Sequence, residues 1–168
     1  MDSCAECGYV YDAVRPAEVP GRIRQVADEA AAACEGVEPE AAARRPAPTT
    51  WSVLEYACHI RDVFLVQRER AVLAQVEECP SVARMHRDER VSLCRYDAHP
   101  LPVVLQQLHV AAELCASVFE AMPDSAWSRR LIYNWPEPQE RDLLWLGRHT
   151  VHEGEHHLLD VRRGLASE

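Results

Sequence analysis

Four long stretches of this chain repeat apolar residues at helical spacing, and prolines separate the stretches from one another. Apolar residues that recur every three or four positions give a helix one face to bury. The pattern predicts helices over about 20–36, 50–78, 103–122 and 138–164. No segment has the convincing alternation of a β-strand, so the expected fold class is all-α, a four-helix bundle.

Helix-capping and helix-terminating residues support these boundaries. Ser52 and Glu55 form a capping-box pattern at the start of the second helix, and Pro80 follows its end. Gly164 is the expected end of the fourth helix. The connections 80–100 and 124–138 are predicted to be irregular. Residues 1–18, which hold a short Cys-x-x-Cys motif, are predicted to be an N-terminal tail, and 19–168 the bundle domain.

Composition narrows the possible partners and the compartment. The net charge of −9 argues against a nucleic-acid partner, because phosphates would be repelled. No 18-residue apolar run and no signal-like N-terminus are present, so we expect no membrane partner and no secretion. Seven cysteines without framework spacing favour a reducing, cytoplasmic location. All 18 basic residues are arginine, which is typical of a high-GC coding sequence.

Three histidines point to a metal. His152 and His156 are four residues apart and therefore share one face of the fourth helix. His59 lies at the edge of the apolar face of the second helix. Two ligands from one helix and a third from another leave an open coordination position, as a catalytic metal requires.

The segment His152–His156 also matches the His-Glu-x-x-His motif of zinc proteases. That chemistry usually takes its third ligand from downstream. Beyond the adjacent His157, the 12 residues that follow His156 hold no histidine, and the extended Gly and His pattern is absent. With no strand to line an extended peptide, a peptidase is disfavoured.

The chain resembles the DinB-like superfamily of metal-binding four-helix bundles. The matching residues are Trp51-Ser52-Val53 through His59 and the His152-x3-His156 pair, together with the order of the helices over about 19–165. The resemblance implies that His59, His152 and His156 bind one divalent metal. Imidazole ligands suit zinc, our first expectation, and also nickel, iron or cobalt.

The resemblance also implies a function. Some members use bacillithiol or mycothiol as a nucleophile, and a high-GC sequence is compatible with actinobacteria, where mycothiol is the relevant thiol. We therefore expect a metal-dependent, thiol-transferase-like enzyme that uses mycothiol for S-transfer to, or isomerisation of, an electrophilic small molecule. Two alternatives stay open: a metal-hydroxide hydrolase on the same site, and a non-enzymatic, stress-linked metal-binding protein.

Other residues near the predicted metal are candidates for supporting roles. The carboxylates are Glu153, Asp160 and Asp62, as a general base or as hydrogen-bond acceptors for a ligand histidine. Substrate binding is predicted for Arg70, Arg148 and His149. His157 is expected to point about 100° away from His156, toward the surface or the outer shell of the site.

Cys4 and Cys7 are predicted to be a possible second metal site. The pair is half of a zinc ribbon, and distant Cys or His residues or a second subunit would have to complete it. A redox dithiol is the alternative.

A homodimer is expected from the family resemblance and from an apolar stripe on the fourth helix, formed by Leu144, Val151, Leu158 and Leu165. The alternative is that this stripe packs within the bundle.

Overall fold

The computed structural model describes residues 3–166. The helices are α1 (Val19–Ala33), α2 (Pro39–Ala43), α3 (Val53–Val76), α4 (Arg87–Leu93), α5 (Leu101–Glu120) and α6 (Leu143–Ala166). The strands are β1 (Ser81–Val82), β2 (Arg130–Asn134) and β3 (Pro138–Asp142). Short 3-10 turns occupy Tyr11–Ala13, Pro16–Glu18, Tyr96–Ala98 and Asp124–Ser128.

The four long helices form the predicted bundle. Both α1 and α3 pack against α5 and α6, so the chain crosses the bundle diagonally from α1 to α3 and again from α5 to α6. By length and composition alone α5 could cross a membrane, with a mean hydropathy of 1.3. Its buried residues, such as Val104 and Leu108, pack in the core of the bundle, which accounts for that apolar character.

The start of α3 is built as its sequence predicts. The Ser52 hydroxyl accepts a hydrogen bond from the backbone N–H of Glu55 at 3.2 Å, and the Glu55 carboxylate accepts one from the backbone N–H of Ser52 at 2.8 Å. Arg45 binds the same carboxylate at 2.6 Å. This reciprocal capping fixes the first turn of the helix that carries His59.

The prediction that the chain lacks strands is wrong. A three-stranded sheet lies in the order β1-β2-β3, with β1 parallel and β3 antiparallel to β2. It occupies both connections that were expected to be irregular, so α6 begins at Leu143 rather than near 138. Only Leu131 and Tyr133 of β2 face the core, and β3 has no buried side chain and no apolar one apart from the exposed Pro138. Strands this short and this polar show almost no alternation in the sequence.

The N-terminal segment is folded against α6 instead of standing apart as a tail. Tyr9, Tyr11 and Val14 are buried in the common core. The Tyr9 hydroxyl donates to the carbonyl of Arg148 at 2.7 Å, and the Arg148 guanidinium donates to the carbonyl of Val14 at 2.9 Å. The segment therefore forms one wall beside the histidine-rich face of α6.

The apolar stripe of α6 lies largely inside the bundle. Val151 and Leu158 are buried, while Leu144 and Leu165 are half-buried. Packing within one chain therefore accounts for the stripe, and the homodimer stays a prediction.

A glycine lets α6 approach its neighbours closely. A Cβ atom at Gly154 would lie 3.0 Å from the ring of Phe64 on α3 and 3.1 Å from a methyl of Val26 on α1. Both distances are shorter than ordinary carbon contacts. The missing side chain at Gly154 thus brings the flanking residues of α6 within reach of α3.

Candidate metal centre and cleft

The metal donors that the structure brings together around His59 are Glu153 and His157. One ligand atom from each of the three residues lies within 4.8 Å of the others. The rings of His59 and His157 are 4.7 Å apart between centroids, and His157 Nε2 is 3.9 Å from the Glu153 carboxylate. Glu153 and His157 are four residues apart on α6 and share the face turned toward α3.

His59 carries the strongest sign of a missing partner. Its side chain is 1% exposed, and neither ring nitrogen has a hydrogen-bond partner among the described residues. Buried polar groups are nearly always paired, because an unpaired one costs about 1–3 kcal/mol. Burial lowers the pKa of His59 to about 3, so the ring is neutral and has a lone pair to offer. The residue is therefore suited to bind a cation.

The other two donors are prepared for the same task. His157 Nδ1 lies 3.1 Å from the Asp160 carboxylate, which Arg163 also binds at 3.0 Å. A carboxylate that accepts from one ring nitrogen leaves the other nitrogen to the metal. Burial raises the pKa of Glu153, but the nearby His149 and His157 outweigh burial, so its pKa is lowered and it stays a carboxylate.

His152 and His156 do not join His59, contrary to the ligand set that the resemblance implied. They lie instead with Cys4 and Cys7, again with one ligand atom from each residue within 4.8 Å. The physical reason is the turn of about 100° per helix residue. With the 153/157 face directed at α3, the 152/156 face is directed at the N-terminal segment.

His157 was expected to point away from the site, but its ring lies beside that of His59, and it is a candidate ligand that the sequence interpretation did not include. The available signal was the pair Glu153 and His157, which has the same four-residue spacing as His152 and His156. Glu153, predicted to be a base or an orienting acceptor, lies among the candidate ligands, and its role stays a prediction. The orienting role falls to Asp160, one of the predicted candidates.

A cleft of about 550 Å³ opens next to the His59 centre. His59 and Glu153 lie on its wall beside residues of α3, α4, α6 and the hairpin formed by β2 and β3. Its aromatic lining is Tyr11, Tyr133, Trp135 and Trp145, and its arginines are Arg70, Arg84, Arg87 and Arg141. The indole N–H of Trp145 is buried and has no acceptor among the described residues. The lining combines aromatic rings with charged side chains, so the cleft offers both stacking and hydrogen-bonding partners to a small molecule.

Two of the predicted substrate-binding residues lie in this cleft. Arg70 is buried on its wall, where it donates to Gln67 at 3.0 Å and to the Tyr133 hydroxyl at 3.1 Å. His149 stacks on Trp145 at 4.5 Å between ring centroids, and its Nδ1 lies 2.8 Å from the Tyr11 hydroxyl. Substrate binding by either residue stays a prediction.

Two other candidates are engaged elsewhere. Arg148 does not line the cleft; it pairs with Asp12 at 3.2 Å and with the backbone of the N-terminal segment, because its position on α6 faces that segment. Asp62 accepts from Arg61 at 2.8 Å and from Tyr96 at 2.8 Å, on a side of α3 away from the cleft. Their geometry supports structural roles.

Comparison with known proteins settles the family. The model of the DinB superfamily matches residues 22–161. The chain belongs to the DinB superfamily. Among solved structures it is similar to YfiT from Bacillus subtilis, described as a probable metal-dependent hydrolase with an unusual four-helix bundle topology. The TM-score is 0.77 at 15% identity, over 90% of this chain and 87% of YfiT, so that likeness shows the fold alone. A search of curated proteins found no match.

Proposed function

We propose that this DinB-superfamily member is a metal-dependent enzyme that acts on a small anionic molecule in the cleft. The observation that carries the proposal is the buried His59 ring, unpaired among the described residues and beside Glu153 and His157 on the cleft wall. Three protein donors leave coordination positions open to a substrate, whereas structural sites are closed by four. Zinc is the first choice of metal, and nickel, iron or cobalt would fit the same donors.

Two of the arginines on the cleft wall support an anionic substrate, while Asp88 and Glu89 also line the cleft. Arg87 and Arg141 lie on its wall, with their guanidinium groups over the rings of Trp51 and Trp145 at 5.9 and 4.7 Å. A guanidinium that stacks on an aromatic ring keeps its edge available to bind a carboxylate. The proposed substrate therefore carries a carboxylate and an electrophilic carbon.

A small thiol, with mycothiol as the candidate, is the proposed nucleophile. A divalent cation at the site would lower the pKa of a bound thiol, and the thiolate is the reactive form. The described residues that line the cleft include no cysteine, so the thiol has to come from outside the chain. The family resemblance supports this choice.

His149 is placed to receive the proton that such a thiol releases. Its Nε2 lies 3.8 Å from the Glu153 carboxylate, and its other ring nitrogen is held by Tyr11. An imidazole is the usual side chain for proton transfer near neutral pH. Stacking on Trp145 fixes the plane of the ring.

Hydrolysis is the second candidate function. Two histidines and one glutamate are the ligand set of several zinc hydrolases, in which the same donors lower the pKa of a bound water. The description of YfiT as a probable metal-dependent hydrolase agrees with this alternative.

One experiment separates these functions. The zinc-loaded protein is incubated with electrophilic carboxylic acids and with carboxylate-bearing esters, each with and without mycothiol. Turnover that requires mycothiol and is lost in His59→Leu supports the thiol reaction, and turnover without thiol supports hydrolysis. An absence of turnover in a protein that binds zinc through His59 would refute both enzymatic proposals in favour of a metal-binding protein.

A further inference from the structure

The second metal-donor cluster joins the N-terminal segment to α6. Cys4 and Cys7 come from a tight turn, and His152 and His156 from the helix face that the turn covers. The Cys4 sulfur is 3.7 Å from His156 Nδ1. In a tetrahedral zinc site with ordinary bond lengths, sulfur and nitrogen ligands lie about 3.6 Å apart. The observed separation is already that of a bound pair.

We propose that Cys4, Cys7, His152 and His156 form a closed, structural zinc site that is separate from the His59 centre. Their order in the chain, Cys-x2-Cys followed by His-x3-His, is the ligand spacing typical of Cys2His2 zinc sites. Two sulfur and two nitrogen donors in tetrahedral arrangement favour zinc over the harder divalent cations.

Both histidines keep one nitrogen for the ion. His152 Nε2 is buried without a partner among the described residues, while its Nδ1 lies 3.0 Å from the Tyr11 hydroxyl. His156 Nδ1 faces Cys4, while its Nε2 lies 3.2 Å from the carboxylate of Glu6 and 3.7 Å from that of Asp160. Hydrogen bonding of the second nitrogen is the usual way in which a protein orients a zinc-binding histidine.

The backbone of the turn is also shaped for the two thiols. The N–H of Gly8 donates to the carbonyl of Cys4 at 2.9 Å, and the N–H of Cys4 donates to the carbonyl of Tyr9 at 2.9 Å. Gly8 has a φ of +74°, a conformation that side chains other than glycine rarely adopt. The closed turn directs both sulfur atoms to the same side.

The site would hold in place the segment that walls the cleft. Tyr11 follows the turn closely, lines the cleft and lies within hydrogen-bond distance of both His149 and His152. Zinc at the cysteines would therefore fix the position of Tyr11. The zinc ion itself would not contact the substrate. This role does not depend on the reaction that the His59 centre performs.

Metal content tests the assignment. The wild-type protein should hold about two zinc ions per chain, one for each donor set. The Cys4→Ser/Cys7→Ser double variant should lose one of them, and Cys94→Ser, at an exposed cysteine outside both clusters, should lose none. His59→Leu should lose the other ion and keep the cysteine-bound one. A double variant with the wild-type zinc content would overturn the proposal.

Two measurements on the wild-type protein cover the case in which the double variant does not fold. Cobalt-loaded protein in thiol-free buffer should show a sulfur-to-metal charge-transfer band, which the His59 centre cannot produce because it has no sulfur donor. Zinc should protect Cys4 and Cys7 from alkylation, and a chelator should remove that protection while Cys94 reacts equally in both states. A missing band, or equal alkylation with and without zinc, refutes the site while leaving the His59 centre untouched.

Discussion

Replacing His59 by leucine should stabilise the metal-free protein and abolish its stabilisation by a metal bound at the His59 centre. The ring is buried with both nitrogens unpaired among the described residues. Leaving a buried polar group without a partner costs about 1–3 kcal/mol, and leucine removes both such atoms. Leucine differs in shape, and repacking costs less than about 1.5 kcal/mol for a swap of similar volume. We expect a net gain of about 1 kcal/mol at pH 7 without metal.

The same substitution should change the dependence of stability on pH. The pKa of His59 is about 3 in the fold against an ordinary 6.5. The unfolded chain therefore binds a proton at a pH where the folded protein cannot, and stability is lost as pH falls from 6.5 toward 3. At about 1.4 kcal/mol per pH unit, the full loss is on the order of 5 kcal/mol. His59→Leu should lose that much less stability over this range.

Urea unfolding of metal-free and zinc-loaded proteins between pH 3 and pH 7 checks both effects. Zinc at 100 times its dissociation constant should stabilise the wild type by about 2.7 kcal/mol through the His59 centre, so the order of the two proteins should reverse on metal addition. His109→Leu, at an exposed histidine of α5, is the matched control. It should change neither the pH dependence of the unfolding free energy nor the stabilisation by zinc. A metal-free His59→Leu protein that is less stable than the wild type by several kcal/mol would refute the reasoning.

Three further substitutions test the geometry of the centre. Gly154→Ala should destabilise the protein by about 1 kcal/mol in urea unfolding, because overpacking outweighs the higher helix propensity of alanine. The control is Gly21→Ala, where the added Cβ meets open space, and it should be neutral or stabilising. Asp160→Asn should weaken metal binding about 10- to 100-fold in a chelator competition, because His157 loses its orienting carboxylate, and unchanged affinity would contradict the assignment. Arg141→Gln should weaken binding of a carboxylate ligand about tenfold or more by calorimetry, and an unchanged dissociation constant would exclude Arg141 from substrate recognition.

Helical periodicity predicted the bundle because each long helix buries a continuous apolar face. The α5 stripe that includes Val104, Leu108 and Cys115 is buried as expected. The sheet was missed because its few inward side chains, Leu131 and Tyr133, are too few for a recognisable pattern. Pairing between β1 and β2 also joins residues about 50 positions apart, which local patterns do not report.

The sequence predicted which helices carry the candidate site, while the residues that bind metal stay a prediction. The sequence places His59 on α3 and a set of metal donors on α6, and both placements agree with the structure. It does not reveal which of two pairs with four-residue spacing faces α3, because that depends on the rotation of α6 in the bundle. Gly154 influences this rotation. Because it has no side chain, α6 can turn its Gly154 face toward Phe64 of α3, where a Cβ atom would be too close to the ring.

The charges of the two donor sets explain how neighbouring sites on one helix can serve different purposes. Two imidazole ligands and one carboxylate would leave a divalent ion at the His59 centre with a net positive charge, which would favour an anionic ligand from the cleft. Two thiolates and two imidazoles would cancel the charge of an ion at the proposed second site and fill its coordination sphere. With both proposed ions bound, attraction for an anion would be confined to the side of α6 that faces the cleft arginines. The zinc site proposed on the side that faces the N-terminal segment would have neither the charge nor the open position to compete for the substrate.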